Sequence, residues 1–72
     1  MNKTALLRDR IKAVRRIHGY TNEYMGFRMG MSERTWRRKA KHPEMFKLSE
    51  IQRLESVLGT SLYEVTNHDY RG

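Results

Sequence analysis

Residues 22–40 read NEYMGFRMGMSERTWRRKA, and the fold is decided there. The pattern is two short helices joined by a tight turn. Gly30 follows Met29 where the first helix would end, and glycine accepts the left-handed backbone that such ends commonly require. Ser32 can then cap the second helix by accepting a bond from an otherwise unpaired N–H. Met31 before that cap and Trp36 after it have hydrophobic-staple spacing. Gly26, one turn before Gly30, leaves room for the second helix to cross close to the first. Met25, Met29, Met31 and Trp36 are the inward apolar set. Glu33, Arg34, Arg37, Arg38 and Lys39 are expected outward, a cationic face on a helix locked across another.

Upstream, residues 1–4 are expected to form a short arm, with Thr4 a candidate cap. A helix then runs to about His18, because Leu7, Ile11, Val14 and either Ile17 or His18 lie at the spacing of one helical stripe. Its cations, Arg8, Arg10, Lys12, Arg15 and Arg16, are expected mainly to solvate the helix, some of them touching phosphate. Gly19 stops it. Thr21 is a plausible N-cap for the next helix, Tyr20 and Met25 have staple spacing, and Asn22 is the first helical residue.

Downstream, Pro43 disfavours helix at the residue before it and enforces a break around Lys41–Glu44. Phe46 and Ile51 would staple a fourth helix capped by Lys47, while Ser49 is chemically the better cap, so its start is open by two residues. Leu48, Ile51, Leu54 and Leu58 are expected inward, and Gly59 ends the helix. Ser61 and Glu64 have capping-box spacing for a short fifth helix, to which Leu62, Tyr63 and Val65 supply apolar contacts. Residues 66–72 are polar and expected to fray. The expectation is one all-α domain, a compact five-helix bundle with its folded core over about residues 5–65.

The chain has 72 residues and no cysteine, so no disulfide or thiolate–metal site can staple it, and stability must come from helix packing, helped by dimerisation. Its apolar runs are too short to span a bilayer and no signal-peptide core follows the start, which points to a cytoplasmic protein. A formal charge of +7 and a pI near 10.3 point to a polyanionic partner. The distribution says more. Residues 1–18 carry Lys3, Arg8, Arg10, Lys12, Arg15 and Arg16 against Asp9 alone. Residues 34–47 carry Arg34, Arg37, Arg38, Lys39, Lys41 and Lys47 against Glu44 alone. From Leu48 onward the balance reverses, with Glu50, Glu55, Glu64 and Asp69 against Arg53 and Arg71. A cationic front and acidic back suit docking in one orientation; the bland reading is a solvated basic surface with no partner.

Catalytic patterns are lacking. His18, His42 and His68 fall in separate elements without metal-ligand spacing, and there is no Gly-rich phosphate loop or nucleophile elbow. The acids are scattered, mostly at helix starts, where the dipole favours them. The five methionines and the single tryptophan read as core. The chain is therefore read as non-enzymatic, with no cofactor, metal or small-molecule ligand expected.

The stretch 22–40, with small residues at Gly26 and Gly30 and apolar ones at Met25, Met29, Met31 and Trp36, resembles the helix-turn-helix of phage repressor and Cro-type regulators. The continuation TWRRKAKHPEMFKLSEIQRLESVLGTSLYEV is similar to a prophage-encoded subset, in which an aromatic residue, a basic run, a Pro and a Phe precede the fourth helix. The resemblance covers roughly residues 6–65. It implies that the second helix of the motif enters a DNA major groove with its N-terminal residues toward the bases. Matched position by position, Ser32, Glu33, Arg34 and Arg38 would face base edges, with Arg37 beside them reaching bases or phosphate. Arg34 is the first choice for a specific contact, since its fork can pair bidentately with guanine. Glu33 would accept from a cytosine amino group or else complement its helix N-terminus. Asn22, Arg28, Lys41 and Lys47 would hold the DNA backbone and set register.

Three departures bear on the residue-to-base assignments. Lys39 stands where common members carry an apolar residue, and Ala40 is the candidate to fill that core role. Ala40 also stands where many members carry a glutamate paired with the arginine matching Arg15, so the role of Arg15 is open. The usual glycine after the recognition helix is missing. The expected function is a sequence-specific regulator that binds a double-stranded phage or prophage operator. It would repress by occupying the promoter and pair as a homodimer at least on DNA, with Leu62, Val65 and Tyr70 as candidate dimer contacts. The alternative is a protein-interaction module, an antitoxin or anti-repressor, on the same fold. An RNA-binding protein is a third reading, weakened by a lack of exposed aromatic platforms: Trp36 is expected buried, with Tyr24 and Phe27 on the scaffold helix.

Overall fold

Gly30 adopts the left-handed backbone, φ 70° and ψ 31°, and the architecture turns on that corner. The computed structural model describes residues 3–62. They form α1 (Lys3–His18), α2 (Asn22–Met29), α3 (Glu33–Lys41), a 3-10 turn (Pro43–Met45) and α4 (Leu48–Leu58). The described residues contain no strand, so the class is all-α. The expected fifth helix, with Tyr63, Glu64 and Val65, lies outside the described residues.

Local chemistry sets each boundary around the turn. The Thr21 hydroxyl accepts the Tyr24 N–H at 3.0 Å, capping α2. The Ser32 hydroxyl accepts the Thr35 N–H at 3.1 Å, capping α3. Between them, the Met31 N–H donates to the Gly26 carbonyl at 2.9 Å and closes the corner. Gly26 is a packing requirement: a Cβ there would lie 3.0 Å from the Met31 carbonyl oxygen and 3.1 Å from the Glu33 nitrogen. Two helices cross here with only a hydrogen atom between them.

The core forms where the four helices converge. Leu7 and Ile11 of α1, Met25 and Met29 of α2, Trp36 of α3, Phe46, and Ile51, Leu54, Val57 and Leu58 of α4 are buried together. Trp36 is completely covered, and Phe46 tilts against it with ring centroids 6.0 Å apart. Val14, Tyr20, Tyr24, Met31 and Ala40 pack around this cluster. Ala40 thus takes part in the core as the spacing after Trp36 suggested.

Two open choices are resolved, and several expectations are corrected. Thr4 lies inside α1, not at its cap, since the helix starts by Lys3. Ile17 is 82% exposed. His18 takes the stripe position instead, with Nε2 2.7 Å from the Leu58 carbonyl and the ring stacked on Tyr20. A carbonyl only accepts, so that nitrogen carries the proton. Leu48 is 66% exposed, and Val57 replaces it in the core. It is the first residue of α4, and the helix reaches the core only from Ile51. Lys47, not Ser49, occupies the N-cap position, where its backbone N–H donates to Glu50 Oε1 at 2.9 Å. Leu62, a candidate dimer contact, is fully buried in the core; Val65 and Tyr70 lie outside the described residues. No helix among the described residues is long and apolar enough to cross a membrane.

Candidate nucleic-acid interface

The geometry of α3 follows from one buried residue. Trp36 faces inward, and about 100° of rotation per residue places Arg34, Arg37, Arg38 and Lys41 on the far side. All four are exposed. The side chains of Arg34 and Arg38 make no hydrogen bond or ion pair to any described residue. Arg37 is held by Glu33, Nη2 to Oε2 at 2.7 Å, one turn apart. Glu33 therefore has two uses at once: it sits in the first turn, where the dipole favours an acid, and it orients Arg37. The Ser32 hydroxyl caps the helix and also donates to Thr35 Oγ1 at 3.0 Å.

Lys39 departs from the expected outward set. Its ammonium bonds both carboxylate oxygens of Glu50, at 2.8 and 2.9 Å, and its side chain is 16% exposed. It points toward α4, so the outward cations are Arg34, Arg37, Arg38 and Lys41. The Lys39 ammonium and the Lys47 N–H hold the Glu50 carboxyl below its ordinary value. Glu50 thereby joins the end of α3 to the start of α4. A lysine can take this position because its stem covers apolar surface while its head finds a charge.

The four residues matched to backbone contacts are not equivalent. Asn22 is the first residue of α2, and its Oδ1 accepts the Trp36 Nε1–H at 2.9 Å. That bond satisfies the buried indole and leaves the amide NH₂ as a donor beside the helix N-terminus. Lys41 ends α3 and is exposed; Lys47 is exposed at the start of α4. Arg28 instead folds back on α2, donating to the Tyr24 hydroxyl with its guanidinium 5.5 Å from the ring centroid. Arg15, left open by the sequence, donates to the Tyr20 carbonyl at 2.7 Å and secures the α1–α2 corner.

Two features escaped the sequence. Phe27 is 79% exposed, so the scaffold helix does present an aromatic ring. Arg8, Lys12 and Arg15 of α1 share a cleft with Asn22 and Lys41. Their spacing of four and three residues was the available signal, hidden because α1 is cationic on most of its surface. Among the described residues no three His, Asp or Glu side chains gather as a metal site would require. Comparison with family models, with curated proteins and with solved structures gives no match.

Proposed function

We propose that this protein is a sequence-specific double-stranded DNA-binding regulator that inserts α3 into the major groove. One observation carries the reading: Arg34, Arg37, Arg38 and Lys41 line the exposed side of a helix whose opposite side is anchored by the buried Trp36. A major groove admits one helix, and guanidinium groups suit guanine O6 and N7. Arg34 and Arg38, unpaired with any described residue, are the base readers, with Ser32 and Glu33 at the leading end. Arg37, steered by Glu33, reaches the base edge or the adjoining phosphate.

Asn22, Lys41 and Lys47 grip the backbone, with Arg28 released from Tyr24 as a fourth contact. One recognition helix covers only a few base pairs, so the active form on DNA is a homodimer on a pseudo-palindromic phage or prophage operator. Occupation of the promoter would repress transcription with no cofactor. Arg34→Ala tests this. It should relax the preference at one base pair by about 1–3 kcal/mol, whereas Lys41→Ala should weaken all duplexes alike. Equal losses on cognate and random duplex for both variants would reject the reading.

The exposed Phe27 and Leu48 favour a second reading, a protein-interaction module on the same fold. Substituting both with serine would abolish partner capture in that case and leave duplex binding intact in the first.

A further inference from the structure

Between α1 and α3 lies an open cleft of about 390 Å³. Ile11, Trp36 and Ala40 form its floor and Arg8, Lys12 and Lys41 its rim. Arg15 and Asn22 complete the wall, and no carboxylate lines it. Ile11 and Trp36 are 1% and 0% exposed, so no ligand ring can stack on the indole, and Ala40 beside them is half-buried.

The polar groups that the cleft offers to solvent are mostly donors. Lys12 and Lys41 are exposed, and their side chains have no hydrogen-bond or ion-pair partner among the described residues. Arg8 makes one long, exposed contact with Asp9, at 3.6 Å, of the kind that contributes little. The Asn22 Oδ1 is taken by Trp36, which leaves its amide N–H groups. Arg15 is committed to the Tyr20 carbonyl but keeps its charge beside the cleft. A site with several cationic donors and no acid fits an acceptor-rich anion. A tetrahedral phosphate satisfies it: ammonium groups act as point charges, and a guanidinium can engage two oxygens.

We propose that the α1–α3 cleft is a phosphate site held by Lys12, Lys41 and Arg8. Under the regulator reading, on which this half of the inference rests, the phosphate belongs to the DNA backbone and α1 joins the interface. The other source is free phosphate, and two experiments on the full chain separate them. In the first, amide NMR follows a titration with sodium phosphate against chloride at constant ionic strength. Saturable shifts are expected at Lys12, Asn22, Ala40, Lys41 and the Trp36 indole N–H, and they should disappear in the Lys12→Gln/Lys41→Gln variant. Shifts spread evenly over surface cations such as Arg10 and Arg53, or unchanged in the variant, would overturn the site.

In the second, duplex affinity is measured against salt for the parent and for Arg8→Gln/Lys12→Gln, with thermal melting as the control for folding. Each lost phosphate contact should flatten the logarithmic salt slope by about 0.9, alike on cognate and random duplex. A parent that binds duplex with a slope untouched by the double substitution would remove α1 from the interface and leave α3 as the reader. A parent that ignores duplex but shows saturable phosphate shifts would keep the site, assign it to free phosphate and sink the regulator reading.

Discussion

Gly26→Ala is the most informative single change to the scaffold, because its sign runs against intrinsic propensity. In an open helix the exchange would stabilise by about 0.5–1 kcal/mol, since glycine loses more backbone freedom on folding. Here the added Cβ would meet Met31 O at 3.0 Å, Glu33 N at 3.1 Å and Glu33 Cα at 3.2 Å. All three are backbone atoms of the corner, which the Met31–Gly26 hydrogen bond pins at 2.9 Å. No flexible side chain can yield, so the corner must open by a few tenths of an ångström. Overpacking of this kind costs about 1–3 kcal/mol, which leaves a net loss of up to about 2.5 kcal/mol after the propensity gain. Urea unfolding followed by the fluorescence of Trp36, the single tryptophan, gives the difference by linear extrapolation. Because the shift displaces the start of α3, duplex affinity should fall at temperatures where the variant is still fully folded. A variant more stable than the parent would mean that the two helices do not cross where the structure has them.

Trp36→Ala should cost about 3–5 kcal/mol, since it empties the centre of a small core; equal urea midpoints for variant and parent would put the ring outside that core. Glu50→Gln should cost about 1.5–3 kcal/mol at neutral pH, because charge-assisted bonds to Lys39 and Lys47 are weakened. The carboxyl is held below its ordinary value near 4.5, so its contribution is present above that value and is lost as pH falls through the lowered folded one. The stability gap between parent and Glu50→Gln should therefore narrow as pH falls below that ordinary value; a gap independent of pH would contradict the ion pair.

Much of the fold was legible because its deciding features are local. Gly30, Ser32 and Thr21 act within a few residues of themselves, and Gly26 announces a close approach by having no side chain. The misreadings came where a choice depended on distance or angle. Leu7, Ile11, Val14 and His18 fall within about 60° of one another on a helical wheel, while Ile17 lies about 100° from His18. The choice between Ile17 and His18 stood open, and geometry together with the Leu58 carbonyl favours His18. Lys39 looked like surface because its partner, Glu50, lies on another helix. Leu48 looked like core from its spacing, yet α4 meets the core one turn later. The outward arginines of α3 were legible from Trp36 alone. The α1 side of the cleft was not, since six Lys and Arg residues on one helix conceal which of them converge with Lys41.

Whether the cationic side of α3 reads a duplex is decided by selecting bound sequences from random double-stranded DNA. The expected result is an enriched motif with dyad symmetry whose half-sites lie about 10–10.5 base pairs apart, centre to centre, and whose enrichment is lost in Arg34→Ala. Retention that falls with salt but enriches no sequence would contradict it.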